Sequence, residues 1–362
     1  MALHPHGIQD STTRNAHYLQ SYRWRDGHSC FYDNSLEVWF RAYSCWPPAV
    51  RASFQEAVPH ESFLSTIFHH FDRRLKCMHK LTDKVTMARE LELMQVLTSN
   101  WVYDKRKLYK RNEYGCSMTW LLHAVQVRNC LFLKKNLLTG TWQKDNHSRE
   151  VQAQFCVDHL ISWKCDHGHI SSSHPTEGPE MFLRIFRHDS RAVRDILGPH
   201  VALTLSEYFQ HLIPRITGGN FSQGTTPLHV LPDERCTELT CSSQAHKCHI
   251  STFWPQILHI IPDLRSDATL PDPIKFTNSF HITDADGSRV TYELVARVLY
   301  HHVHEHFTSE FRLDNLVYTY NNMSCDGILL QHKSLDLLET TSGKNTEFYV
   351  YHRTSTKLTV SK

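Results

Sequence analysis

The sequence has little of the two residues that loosen a chain. Its 13 glycines and 14 prolines in 362 positions leave no room for long low-complexity stretches. No apolar run reaches membrane-spanning length, and the opening Met1-Ala2-Leu3-His4-Pro5-His6-Gly7 lacks the apolar core of a secretory signal, so no membrane partner is expected. Excess charge is nearly absent: a formal net charge of +2 gives no electrostatic reason to expect a nucleic-acid partner. There is no internal repeat. There is also no Cys-x-x-Cys pair, although the chain has 11 cysteines. An odd number without a tight framework points to free thiols in a reducing compartment, cytoplasmic or nuclear.

What is present is ample core material, 40% hydrophobic and 11% aromatic, enough for one large domain or two ordinary ones. Two segments carry chemistry. In Gly27-His28-Ser29-Cys30-Phe31-Tyr32-Asp33-Asn34-Ser35-Leu36-Glu37-Val38-Trp39-Phe40, a polar loop becomes a helix. Leu36, Trp39, Phe40 and Tyr43 recur at helical spacing and predict one buried face, while Ser29, Asp33, Asn34 and Ser35 supply polar groups at the helix start. A thiol at that point feels the helix dipole and unpaired N–H groups, both of which favour the thiolate. Near the other end, Tyr292 to Arg312 and Val317 to Asn322 alternate like strands with a turn between them. His306 begins one strand and Asn321 ends the next, so a hairpin brings the two within hydrogen-bond reach. A Cys, a His and an Asn far apart in sequence are the nucleophile, base and orienter of a cysteine protease.

With these residues the chain resembles the ubiquitin-specific proteases, papain-like cysteine deubiquitinases. Their first signature, Gly-x-Thr-Cys-Tyr-x-Asn-Ser-x-Leu-Gln, is matched by Gly27, Ser29, Cys30, Phe31, Leu36 and Glu37, with Asp33 and Asn34 in place of Asn-Ser. Their second is matched in order by Tyr292, Leu294, His306, Phe307, Thr308, Tyr320, Asn321 and Asn322. Thr204 to Phe209 and Trp254 to Pro262 are similar to a helix and a buried strand of the same family. The resemblance implies an α+β fold of the papain-like cysteine protease type, with a helical thumb, β-rich fingers and an antiparallel-sheet palm. The polar residues 1–20 read as a loose arm, and the resemblance implies a catalytic domain over 21–362, with thumb about 21–150, fingers about 151–250 and palm about 251–353.

It further implies a thiol-dependent ubiquitinyl hydrolase, with Cys30, His306 and Asn321 as catalytic residues and ubiquitin or a ubiquitin-like protein as partner. No cofactor is required for the chemistry. Three departures bear on rate: Arg25 stands where the family has an oxyanion-donating Asn, Glu305 replaces a Gly, and an internal box is degenerate at Ser117 to Leu121. Arg25 and His28 are the side-chain candidates for the oxyanion. The alternative reading is a weak or inactive ubiquitin-binding scaffold on the same fold.

Many members carry a zinc ribbon in the fingers. Here Cys165, with His167 or His169, stands at the first knuckle, and Cys236 with Cys241 at the second, Cys248 and His249 close behind. Structural zinc on Cys165, His169, Cys236 and Cys241 is weighed against a degenerate ribbon that folds without metal, and the second is the expectation. Locally, the patterning predicts a helix over Lys84 to Ser99 buried through Val85, Ala88, Leu91 and Val96, a strand over Val151 to Val157, and a short helix over Arg191 to Leu197. The basic run Lys105 to Arg111 reads as a solvated face.

Overall fold

The computed structural model describes residues 20–24, 28–79, 84–111, 113–126, 149–173, 180–185, 197–198, 203–212, 234–236, 238, 240–262, 274–283, 288–313, 315–323, 327–339 and 346–354. The helices labelled below are α1 (Cys30–Ser44), α2 (Pro48–Ala57), α3 (Phe63–His79), α4 (Lys84–Ser99) and α5 (Ser117–Val125). The strands are β1 (Asp158–Cys165), β2 (Ile170–Ser173), β3 (Phe182–Arg184), β4 (Glu234–Arg235), β5 (Gln244–Phe253), β6 (Ile257–Ile261), β7 (Ser279–Thr283), β8 (Arg289–His301), β9 (His306–Leu313), β10 (Leu316–Tyr320), β11 (Leu330–Gln331) and β12 (Thr346–Arg353). Two compact units form, one from 1–120 and 300–335, the other from 121–299 and 336–362.

In the first unit α1 is the centre. Sequence patterning predicts an amphipathic helix, yet every residue from Cys30 to Tyr43 is buried. The polar ones survive burial because each has a partner. Glu37 accepts from Ser21 Oγ at 2.5 Å and Arg41 Nε at 2.7 Å, and pairs with Arg74 at 2.8 Å. Burial opposes the ionised carboxyl, but the two guanidiniums hold it below its ordinary range. The arginines in turn lie on rings, Arg74 over Phe40 at 3.8 Å and Arg41 over Phe311 at 4.6 Å.

Pro47-Pro48 ends the run, and α2 begins with Pro48 at its first position, where a missing N–H costs nothing. Trp46, Phe54 and Phe68 then pack edge and face beside Tyr43. On α4 Met87, Leu91 and Met94 are buried; of the predicted face Leu91 is buried and Ala88 half-buried, but Val85 is 58% exposed and Val96 39%. The spacing 87, 91, 94 presents one seam to the core, and Val85 and Val96 fall outside it. Lys105, Lys107, Lys110 and Arg111 of the basic run are exposed, with Arg111 paired to Asp104 and Lys110 to Glu113, while Arg106 is half-buried against the Trp101 ring.

The same unit holds the β9–β10 hairpin, with Tyr318 opposite Phe311, and β11 beside β10. Residues 20–24 are tied to it. Ser21 N–H donates to Gly327 O at 2.7 Å, and Tyr320 Oη donates to Tyr22 O at 2.8 Å. Gly327 has φ +74°, and a Cβ there would press on the Ser21 carbonyl, so the tie needs glycine.

In the second unit, β2-β1-β5-β4 is one antiparallel sheet, with a bulge at Ser162/Trp163 on β1. A second sheet places β8 between β7 and β12, with β6 beyond β12 and β3 parallel to β6. β6 is buried at all five residues, as a central strand requires. Helix Leu205–Leu212 opens with a reciprocal cap: Glu207 accepts from Thr204 N–H at 2.7 Å and Glu207 N–H donates to Thr204 Oγ1 at 3.3 Å.

The predicted strand over Val151 to Val157 is not formed. Arg149–Gln152 is helical, turn bonds follow, and only Val157 makes a bridge, to Glu180. Val151 and Phe155 are both buried four residues apart, a helical spacing that alternation mimics over a short run. Residues 1–19, most of the predicted helix at Arg191 to Leu197, and Cys248 and His249 side chains lie outside what is described. Among the described residues, no helix is long and apolar enough to cross a membrane.

Candidate active site

The site is built where the start of α1 meets the start of β9. Ser29 precedes the helix, but its hydroxyl does not cap it. It donates to Asp33 Oδ2 at 2.8 Å, while the Ser29 carbonyl accepts from the Tyr32 and Asp33 N–H groups. Cys30 follows, 3% exposed. The sequence argument favours a thiolate here; in the structure burial dominates and, with the Asp33 carboxylate adding to it, pushes the thiol up to about 11. Main-chain N–H groups of Phe307, Cys30 and Phe31 hydrogen-bond the sulfur and only partly offset this.

Phe307 is the residue after His306, the first residue of β9 and 7% exposed. The His306 Nε2 to Asn321 Oδ1 distance is 2.8 Å. The amide orientation is fixed from its other side, because Asn321 Oδ1 also accepts from the Met323 N–H at 3.0 Å. An oxygen that accepts from both sides requires Nε2 to carry the proton, which leaves the Nδ1 lone pair as the basic site. Burial lowers the His306 pKa, opposed by the bond to Asn321. The resting pair is therefore a neutral thiol and a neutral imidazole.

Three other histidines crowd the same turn. His302 and His304 are exposed, and His301 shares a 2.9 Å bond with Thr308 Oγ1. Glu305, just before His306, has φ +47°, a left-handed conformation that glycine adopts without strain. Of the two oxyanion candidates, Arg25 lies outside the described residues, and the His28 ring lies against Tyr114, tilted by 35° with centroids 3.9 Å apart.

Trp24 and Gln95 carry no signal in the sequence, and the bonds made by Asp33, Asn34 and Asn322 are seen only in the structure. Trp24 sets its indole edge-on to His306, centroids 6.5 Å apart, and the Trp24 main-chain N–H donates to Asn322 O at 2.9 Å. Asn322 donates its amide to Asp33 Oδ2 at 2.8 Å, and Gln95 Nε2 reaches the same carboxylate at 3.0 Å. Asn34 donates to the carbonyls of Cys30 and Phe307, each at 2.9 Å. Helical periodicity classes such residues only as polar; their roles depend on a strand nearly three hundred residues away.

The second unit gathers Cys165, His169, Cys236 and Cys241, with ligand atoms all within 4.8 Å of one another. Gly168 turns the first knuckle at φ +82°, and Cys241 N–H to Glu238 O closes the second. Metal–sulfur bonds of about 2.3 Å in a tetrahedron put sulfurs ~3.8 Å apart and sulfur and nitrogen ~3.6 Å apart. Cys165 and Cys241 sulfurs are 3.8 Å apart, and His169 Nδ1 is 3.5 Å from Cys165 and 3.6 Å from Cys236. The Cys241 thiol is drawn down to about 6, first by the Ser243 main-chain N–H, which suits it to ligation. The cluster is compatible with structural zinc. His167 stands beside it, bonded to Ser243 Oγ at 2.6 Å.

No family model matches the sequence, and no curated protein matches it in sequence. Solved structures match in fold. One is the SAGA Ubp8/Sgf11/Sus1/Sgf73 DUB module bound to ubiquitin aldehyde, 13% identical with a TM-score of 0.50, over 96% of this chain and 72% of that one. Another is the same module bound to monoubiquitin, 12% identical with a TM-score of 0.49, over 95% of this chain and 70% of that one. The architecture is thus the α+β, papain-like fold of the ubiquitin-specific proteases.

Proposed function

We propose that this chain is a cysteine-type deubiquitinase, hydrolysing peptide or isopeptide bonds after the C-terminal glycine of ubiquitin or a ubiquitin-like protein. One observation carries the reading: a buried His306 with Nε2 held by Asn321, one residue from the N–H that bonds the Cys30 sulfur. His306 Nδ1 takes the thiol proton as the sulfur adds to the scissile carbonyl carbon. The C–N bond then breaks, and the leaving amine departs with that proton. Water attacks the thioester, giving its proton to His306, which returns it to the sulfur as the carboxylate leaves. A base of this kind is worth roughly 10²–10⁴-fold. The oxyanion falls to the Cys30 main-chain N–H, with Arg25 and His28 as candidate side chains. Thumb, fingers and palm fall at about 21–150, 151–250 and 251–353, and zinc on Cys165, His169, Cys236 and Cys241 holds the fingers together.

Ubiquitin carrying a C-terminal vinyl sulfone tests this. A covalent adduct on Cys30, absent in Cys30→Ala, is the expected result; a wild-type protein that binds ubiquitin without reacting would sink it. That outcome would favour the second reading, an inactive ubiquitin-binding scaffold, for which the high pKa of the Cys30 thiol is the supporting observation.

A further inference from the structure

We infer that Asn34 is a positioning residue that locks the nucleophile's helix to the strand carrying the base. The inference rests on the deubiquitinase reading of the site. An Asn amide has two hydrogens, and here each goes to a carbonyl of consequence. One goes to Cys30 O and the other to Phe307 O, both at 2.9 Å. The first acceptor belongs to the residue that bears the sulfur. The second belongs to the residue that follows His306 and whose own N–H bonds that sulfur. A single planar NH₂ thus fixes the separation of the two main chains, which stand 273 positions apart in sequence.

Packing alone does not account for an asparagine here. The residue is fully buried in the interior of α1, where Asn is a poor helix former. Its Oδ1 is buried with no hydrogen-bond partner among the described residues, a free-energy cost that an apolar side chain of the same shape avoids. Ser35, next along, satisfies itself on the Phe31 carbonyl one turn back. Asn34 is long enough to bond the equivalent carbonyl of its own helix and still cross to β9. The arrangement trades an orphaned acceptor for a fixed sulfur–strand geometry.

The test is Asn34→Leu, which keeps the shape and neutrality and removes both donors. Two readouts are taken: turnover of a fluorogenic amide at the ubiquitin C-terminus, and the rate at which iodoacetamide alkylates Cys30, followed by peptide mass spectrometry. A misplacement of this kind costs about ten- to hundredfold. We expect kcat to fall by that factor with KM within twofold, and Cys30 alkylation to slow at matched pH. Asn34→Ser, too short to span both carbonyls, should lie between. A folded Asn34→Leu with wild-type kcat and wild-type alkylation overturns the inference. If Asn34→Leu does not fold, a folded Asn34→Ser equal to wild type in both readouts overturns it instead. Failure of the wild type to turn over the ubiquitin amide strikes the deubiquitinase reading alone, because alkylation needs no substrate and still reports the position of the sulfur.

Discussion

Asn322 and Asp33 are hydrogen-bonded at 2.8 Å with both side chains buried, so an amide beside Asn321 is clamped to a carboxylate one turn from Cys30. We expect Asn322→Asp to oppose two buried carboxylates and cost about 3 kcal/mol or more. The loss should grow as pH rises, because one carboxyl must stay protonated. Adding Asp33→Asn should restore most of it. Urea melts at neutral and acid pH on both variants check this; a double variant no better than the single contradicts the clamp.

His306 should be separable from its neighbours. His306→Ala is expected to lose nearly all turnover while folding, and Asn321→Ala to lose less, since it only holds the ring. His302→Ala and His304→Ala should keep most activity, both being exposed. Steady-state kinetics on the four variants decides it. An active His306→Ala beside a dead His304→Ala would mean the base is misassigned.

Glu305 adopts φ +47° in the turn before β9. Relief of that left-handed conformation should let Glu305→Gly gain roughly 0.5–1 kcal/mol, the chain-entropy cost of glycine keeping the gain small. A thermal melt measures it, and a variant less stable than wild type refutes the strain.

The Cys/His cluster predicts a metal-dependent melt. If zinc is held there, chelation should lower the melting temperature, and elemental analysis should find one zinc per chain. Cys241→Ser should do the same without chelator while leaving Cys30 alkylation at its wild-type rate. No zinc and an unmoved melt return the ribbon to the metal-free state that sequence spacing suggests.

Besides His306, three histidines among the described residues are buried in the neutral form: His70 and His352, each lowered to about 4, and His259, lowered to about 3, by burial in every case. A histidine held below its ordinary 6.5 leaves the unfolded chain binding the extra proton. Stability is therefore intact above pH 6.5 and drains away as pH falls towards 4, at about 1.4 kcal/mol for each unit of displacement. Urea midpoints between pH 7 and 4.5 test this, and His259→Phe should flatten the decline.

The local chemistry of the site was partly written in the sequence. The helix start at Cys30 and the strand start at His306 follow from periodicity and turn spacing; Asn321, expected to end the return strand, lies one residue past it, and the choice of these three as a site came with the family resemblance. The state of the thiol did not follow, because dipole and N–H arguments act at the helix end while burial is set by the whole fold. Nor did the burial of α1 on all sides: Glu37 and Arg41 read as a solvated face until Arg74 and Ser21 arrive from elsewhere. Val151 and Phe155 misled for the opposite reason, since a four-residue repeat over seven positions also fits alternation. The metal knuckles were legible in residue type, whereas their tetrahedral spacing depends on a turn at Gly168.

The first unit is discontinuous, and roughly 180 residues separate its two pieces in the chain. At a synthesis rate of about 5–20 residues per second, some 10–40 s pass between the emergence of residue 120 and residue 300. Throughout that interval α1 is made, but the acceptor for Asn34 on Phe307 and the donor for Asp33 on Asn322 do not yet exist. The ribosome-bound chain thus carries Cys30 on a helix whose polar groups await their partners.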